Sequence, residues 1–262
     1  LIDAHLSILQ ELGYITEEDT LSMRGRMARV LYGSELQITE LLYRGVLESL
    51  PAQALAVVFV GALLAVPVLG MRAVLAQLAA LELGDAVITD VGSTKGAVAQ
   101  AVEEVFGAVP ANFVPGHPIA GSEKSGVEAA RADLFRHHKV ILTPLEQTAA
   151  AAVSLVQRCW QALDADVESM SLADHDEVLA ATSHLPHLLA FSLVDTLASR
   201  NENLEIFRYA AGGFRDFTRI AASDPVMWRD VFLANRDAVL RSLDAFTQDL
   251  GRLREAVDTR DA

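Results

Sequence analysis

From Ala62 onward, short uncharged apolar runs alternate with stretches in which apolar residues recur every three or four positions. "ALLAVPV" (62–68) precedes "MRAVLAQLAALEL", and "AVITDVG" (86–92) precedes "STKGAVAQAVEEVFG". "NFVPGHP" (112–118) precedes "KSGVEAARADLF", and "KVILTP" (139–144) precedes "LEQTAAAAVSLVQRCWQAL". Apolar strands without polar alternation, each followed by a helix, predict a parallel sheet covered on both faces. Ligands of such sheets bind beyond the carboxyl ends of the strands. That rule gathers Pro67 and Val68, then Gly92, Ser93 and Thr94, then Gly116 and His117, on one edge.

After about residue 172 the rhythm becomes helical only. "LADHDEVLAATSHLPHLLAFSLVDTLASR" (172–200) is one long helical pattern broken at Pro186. "SDPVMWRDVFLANRDAVLRSLDAFTQDLGRLREAV" (223–257) is another, with Ser223 or Asp224 as N-cap and Pro225 in the first turn. Between them "AAGGFRDFTRIAAS" holds Arg215 and Arg219, four apart and on one helix face. Ahead of Ala62, residues 12–53 read as helices and turns. The expected organisation is a helical segment over 1–60, an α/β part over 61–171, and a helical part over 172–262 whose amphipathic helices form a dimer surface.

Composition narrows the function. The chain has 262 residues, 52% apolar and 21% charged, which suits one large or two ordinary globular domains. Its net charge of −14 repels nucleic acid and anionic lipid, so an anionic ligand needs a local cluster of positive charge. The single cysteine, Cys159, excludes an intrachain disulfide framework and fits a reducing cytoplasm, where it serves as a small core residue. The chain begins with leucine, and no secretory leader is visible. Residues 54–71 carry no charge, but Gly61, Pro67 and Gly70 interrupt them, and a helix end followed by a strand requires no bilayer.

Each chemical candidate has a plain alternative. His117 can be a turn histidine satisfied by backbone, and Ser93 or Thr94 an N-cap for the helix that "STKG" opens. His184 and His187 have metal-like spacing, but Pro186 disturbs the helix and no acid or cysteine completes a zinc pattern, so no metal is expected. His175 precedes His184 by nine residues, about half a turn around a regular helix, which puts them on different faces. No Gly-x-Ser-x-Gly elbow surrounds a serine, against a hydrolase. Trp228 reads as core or interface.

Taken together, "DVGSTKG" (90–96), "GHPIAGSEKSGV" (116–127), "SHLPH" (183–187) and "GGFRDFTRIAASDPVMWRD" (212–230) resemble the prephenate dehydrogenase family. The likeness runs from about Leu63 to about Arg254 in the family's order and spacing. It implies a Rossmann-like nucleotide-binding domain, here partial, joined to an all-helical dimerisation domain. It also implies oxidative decarboxylation of prephenate, or of arogenate, with NAD or NADP taking the hydride. By this resemblance His117 accepts the proton of the ring hydroxyl, and Ser93 hydrogen-bonds with it there. Arg219 binds a substrate carboxylate, assisted by His187, Ser122 and Lys124. Pro67, Val68, Gly92 and Thr94 then line the cofactor side, and the protein is expected to be a cytoplasmic homodimer.

One departure qualifies the resemblance. The family's first strand leads into Gly-x-Gly-x-x-Gly, which occurs nowhere in this chain. Residues 12–53 resemble instead part of the C-terminal helical domain of exosome-assisting DExH-box RNA helicases, without any motor motif. Three readings stay open: an active dehydrogenase, an inactive dehydrogenase-like chain that only dimerises or interacts, and an RNA-associated module that the charge of −14 disfavours.

Overall fold

In the computed structural model, residues 68–79, 86–121, 133–199 and 207–260 are described. The helical reading of 1–60 with its helicase resemblance, the uncharged run up to Pro67, Ser122, Lys124 and most of the helix expected after Lys124 lie outside those residues.

The apolar run at 86–92 supplies strand β1, Ile88–Thr89, which pairs in parallel with β2, Phe113–Val114. Successive strand residues point to opposite faces, and β2 shows the consequence. Phe113 enters a core with Met71, Leu75 and Leu78 of helix α1 (Met71–Ala79) and Val98 and Val102 of α2 (Lys95–Phe106). Val114 enters a second core with Val140, Leu142, Ala152 and Val156, the last two from α3 (Ala150–Gln161). The sheet is thus covered on both faces, as the uninterrupted apolar runs require. Each fully buried aliphatic side chain contributes about 1.5–3 kcal/mol.

The run 112–118, expected as one strand, is two. Pro115 lacks an N–H, and the ladder breaks there while its carbonyl accepts from the Thr143 N–H at 2.9 Å. Beyond it, β3 (Gly116–Pro118) pairs antiparallel with β4 (Lys139–Leu142), so the expected all-parallel order fails at this strand. A further strand, β5 (Asp166–Ser169), pairs in parallel with β4 and has no apolar run to announce it. It is a short, largely exposed edge strand bearing Asp166 and Glu168.

The helical half opens with α4 (Leu172–Leu179), whose N-cap Ser171 accepts from the Asp174 N–H. The pattern through residue 200 is not one regular helix with a break at Pro186. A π-helical turn, Ala180–His184, separates α4 from α5 (Leu185–Ala198). Pro186 removes one intrahelical donor, and the turn before it widens so that the Leu185 N–H reaches the Ala180 carbonyl. The run Leu172–Ala198 is long and apolar enough to cross a membrane, by length and composition alone. Then follow α6 (Gly212–Thr218), a 3₁₀ turn Arg219–Ala222, α7 (Pro225–Ala234) and α8 (Arg236–Thr259). Asp224 caps α7, its Oδ1 accepting from Val226 at 2.7 Å and Met227 at 3.2 Å, with Pro225 in the first turn as expected. Leu240, Leu250, Leu253 and Val257 of α8 remain exposed.

Candidate active site

His117 sits in the middle of β3, nine-tenths buried, one residue after Gly116. Its cramped position has a packing cause. A Cβ on Gly116 would come 3.1 Å from the Asp90 carbonyl oxygen and 3.3 Å from Leu142 Cδ2, so a side chain there would push β3 a few tenths of an ångström from the end of β1. Asp90 and Lys95, both fully buried, hold that approach together. The Lys95 ammonium donates to Asp90 Oδ2 and, at 2.6 Å, to the Gly116 carbonyl. The Asp90 carboxylate in turn accepts the N–H groups of Gly92 at 2.8 Å and Gly116 at 3.1 Å. Burial lowers the Lys95 pKa, opposed by the charge of Asp90.

Thr94 occupies the N-cap position of α2, yet its side chain caps nothing. Asp176, from α4, takes that place: its Oδ1 accepts the Lys95 N–H and its Oδ2 the Gly96 N–H, each at 2.8 Å. Gly96 permits the approach, since a Cβ there would lie 2.9 Å from Asp176 Oδ2. A carboxylate on a helix N-terminus is favourable both by hydrogen bonding and by the helix dipole. Burial alone would raise the Asp176 pKa. The hydrogen bonds from His175, Lys95 and Gly96 overcome this and hold it below the usual value.

Sequence reasoning had set His175 aside, but the structure places it at the centre. It is fully buried, its Nδ1 is 2.8 Å from Asp176 Oδ1, and its Nε2 is 2.9 Å from His117 Nδ1. Asn235, at the α7–α8 junction, donates to the Asp176 carbonyl at 2.8 Å and lies 3.2 Å from His184 Nδ1. His184 faces inward because the π turn winds more loosely than an α turn, which undoes the half-turn separation from His175 expected of a regular helix. Burial first, then the charges of Lys95, His175 and His184, drive the His117 pKa well below 6.5. His117 is therefore a neutral imidazole at neutral pH.

The other expected residues come from several elements. Ser93 lies half-buried in the bend after β1; the bonded partner of His117 is His175, not Ser93. Gly92 and Thr94 are buried, and the Thr94 hydroxyl has no partner among the described residues. Val68 opens the 3₁₀ turn Val68–Gly70, which packs against α7. His187 and the site of Arg219 meet where α5 packs on the 3₁₀ turn after α6; burial lowers the His187 pKa, and the Arg219 charge adds to this. The His187 ring stacks on Trp228 with centroids 3.6 Å apart, so the tryptophan backs the site as well as filling core. His184 and His187 turn to separate partners, Asn235 and the Ser183 carbonyl. Arg215, expected to share a face with Arg219, lies in α6, whereas Arg219 begins the tighter turn.

The buried histidines make stability depend on pH. Burial lowers the His184 pKa to about 4, against 6.5 when exposed. Between those values the unfolded chain binds a proton that the folded chain refuses. The contribution is complete above pH 6.5 and is lost as pH falls toward 4, amounting to roughly 2–4 kcal/mol across the window. Melting temperatures measured from pH 7 to pH 5 should therefore fall, and fall less steeply in His184→Gln; equal slopes would refute the assignment.

Comparison with known proteins identifies the family. The family model described as prephenate dehydrogenase, nucleotide-binding domain, matches residues 44–169, and that for the dimerisation domain matches 171–262. The first match begins at residue 44, ahead of the residues that carried the resemblance. Cyclohexadienyl dehydrogenase of Zymomonas mobilis is 41% identical over 202 residues, covering 76% of this chain and 68% of that protein. Prephenate dehydrogenase of Bacillus subtilis is 44% identical over 178 residues, or 67% of this chain and 47% of that enzyme. The crystal structure of A. aeolicus prephenate dehydrogenase with hydroxyphenyl propionate and NAD+ has a TM-score of 0.68 at 43% identity, covering 74% of this chain and 68% of that one. A second Aquifex aeolicus prephenate dehydrogenase structure, at 35% identity and a TM-score of 0.69, covers 90% and 88%. The chain belongs to the prephenate dehydrogenase family.

Proposed function

We propose that the chain catalyses oxidative decarboxylation of prephenate to 4-hydroxyphenylpyruvate, in the cytoplasm and as a homodimer, with NAD as hydride acceptor. The observation that carries the proposal is a buried, neutral His117 within β3, in a chain of this family. The chemistry needs that imidazole. As hydride leaves the ring carbon, the hydroxyl on that carbon becomes more acidic, and a neutral imidazole accepts its proton. Loss of carbon dioxide restores aromaticity. Arg219 and His187 hold a carboxylate of the dianionic substrate, which the overall charge of −14 would otherwise repel. Ser93 orients the reacting hydroxyl, and Ser122 and Lys124 complete the substrate side.

For the cofactor the fit is to one half. At the start of α2 the buried Thr94 hydroxyl lacks a partner among the described residues, and it is a polar atom that a bound group could satisfy. Gly92 lies two residues before Thr94, and Val68 is a further residue proposed for the cofactor side. The pyrophosphate half has no Gly-x-Gly-x-x-Gly to rest on. When bound, NAD supplies the hydride acceptor. The choice of NAD over NADP, and of prephenate over arogenate, follows the named relatives.

Turnover of prephenate with NAD, followed by absorbance of the reduced cofactor, tests the assignment. A folded chain that turns over neither prephenate nor arogenate with either cofactor would favour the second reading, a dimerising module without activity, which the missing glycine loop supports. Arg219→Ala should weaken prephenate binding by about 10-fold or more while leaving NAD affinity within about twofold, because one charge-assisted bond is worth about 1.5–3 kcal/mol. Equal loss for both ligands would mean unfolding, not a lost carboxylate contact. The exposed Leu240, Leu250, Leu253 and Val257 form the apolar stripe expected at the dimer surface. Light scattering at micromolar concentration should report twice the chain mass, and a monomer would overturn the dimer.

A further inference from the structure

We propose that His175 and Asp176 are positioning residues for His117, holding its proton on Nδ1 so that Nε2 is the base, and then sharing the positive charge that His117 acquires. The proposal deepens the reading of His117 as proton acceptor and rests on it. Three side chains form one line: Asp176 Oδ1 to His175 Nδ1 at 2.8 Å, and His175 Nε2 to His117 Nδ1 at 2.9 Å. His117 comes from the nucleotide-binding part, while His175 and Asp176 open the first helix of the dimerisation part. Docking of the two parts therefore builds the base.

Proton positions follow from what each group can do. An ionised carboxylate only accepts, and Asp176 already accepts two backbone N–H groups from the start of α2. His175 Nδ1 must then carry a hydrogen. A neutral His175 has a lone pair on Nε2, so His117 Nδ1 donates to it and His117 Nε2 is left free to accept. In the reverse arrangement His175 would be a cation with both nitrogens protonated. That would put a second cation in a wholly buried cluster that already holds Lys95, and it would leave His117 Nε2 protonated and useless as a base. The neighbours reinforce the first arrangement: Asp90 matches the Lys95 charge, and Asn235 holds the Asp176 backbone and His184 in place.

The step balances without a further reagent. The substrate O–H bond breaks and an Nε2–H bond forms on His117. The Nδ1 proton shifts along the 2.9 Å bond toward His175 Nε2, so the positive charge spreads toward the Asp176 carboxylate. Release of the Nε2 proton to water after turnover restores the starting tautomers. A carboxylate behind a histidine contributes in this way by fixing the tautomer and stabilising the imidazolium, without itself being protonated.

Nitrogen–proton correlation spectra of the full chain, which need neither substrate nor cofactor, read the tautomer directly. The native chain should show His117 protonated on Nδ1 and bare on Nε2. In Asp176→Asn the new amide can donate to His175 Nδ1, which reverses the line and moves the His117 proton to Nε2. With NAD and prephenate, that variant should lose about 10²–10³-fold in kcat with KM within about threefold, since neither positioning residue touches substrate. His175→Gln retains an acceptor for His117 Nδ1 but cannot take a proton, so it should keep the native His117 tautomer and lose less in kcat than Asp176→Asn. If Asp176→Asn fails to fold for want of the α2 cap, His175→Gln and the native spectrum decide. An Nε2–H tautomer in the native chain, an unchanged kcat in a folded variant, or KM rising in step with the loss of kcat would each overturn the proposal. A native chain without turnover would count against the proposed activity instead, and the spectrum would still judge the tautomer.

Discussion

His117→Asn should leave the chain folded and lower turnover by about two to four orders of magnitude, the usual span of general acid–base help. Asparagine is small enough for β3, whose close approach to β1 depends on Gly116 and not on the imidazole. Its amide cannot accept and hold a proton, so the hydroxyl would have to lose its proton to water. The pH profile adds a second test. Because burial and the charges of Lys95, His175 and His184 drive the His117 pKa well below 6.5, the base is already deprotonated above that value. The native kcat/KM should be flat from about pH 6.5 upward through neutrality, with any loss from protonation of His117 confined to more acidic solution. Near-native turnover by a folded His117→Asn chain, or an acid limb centred above 6.5, would remove His117 from the role of base.

The parts of this site that could be read from sequence are those fixed locally. The helix that opens after Thr94 and the cap and proline of α7 each depend on a few neighbouring residues, and each stands where the pattern placed it. His117 and Arg219 are marked by short motifs whose residues lie close along the chain. His175 and Asp176 are not, because the contacts that place them reach residues 58 to 81 positions away. Their one local signal, an acid directly after a histidine near a helix start, is common in any solvated helix. The half-turn separation of His175 from His184 was sound for an α-helix and failed because Pro186 widens the preceding turn. The same limit explains β5, an edge strand that only its pairing with β4 defines. It also explains the split at Pro115, where one apolar run serves two sheets.

The cofactor half of the site leads to the other large expected effect. This chain should bind NAD and NADP at least about 100-fold more weakly than a dehydrogenase with an intact glycine loop, whatever the state of His117. Pyrophosphate in such folds rests on backbone N–H groups of the loop and on the N-terminus of the helix that follows it. Charge-assisted bonds of that kind are worth about 1.5–3 kcal/mol each, and two of them account for a hundredfold or more in affinity. No Gly-x-Gly-x-x-Gly is present to supply them. Nor does the α2 terminus offer a substitute, because its first two N–H groups are already taken by Asp176. The substrate side proposed for Ser93, His117, His187 and Arg219 does not use the glycine loop, so an aromatic acid such as 4-hydroxyphenylpyruvate should bind without cofactor. Calorimetric titration with NAD, NADP and that acid separates the two halves. Weak cofactor binding beside measurable acid binding is the expected result. Micromolar binding of NAD by the purified chain would show that other residues replace the loop, and would make the chain a self-sufficient dehydrogenase.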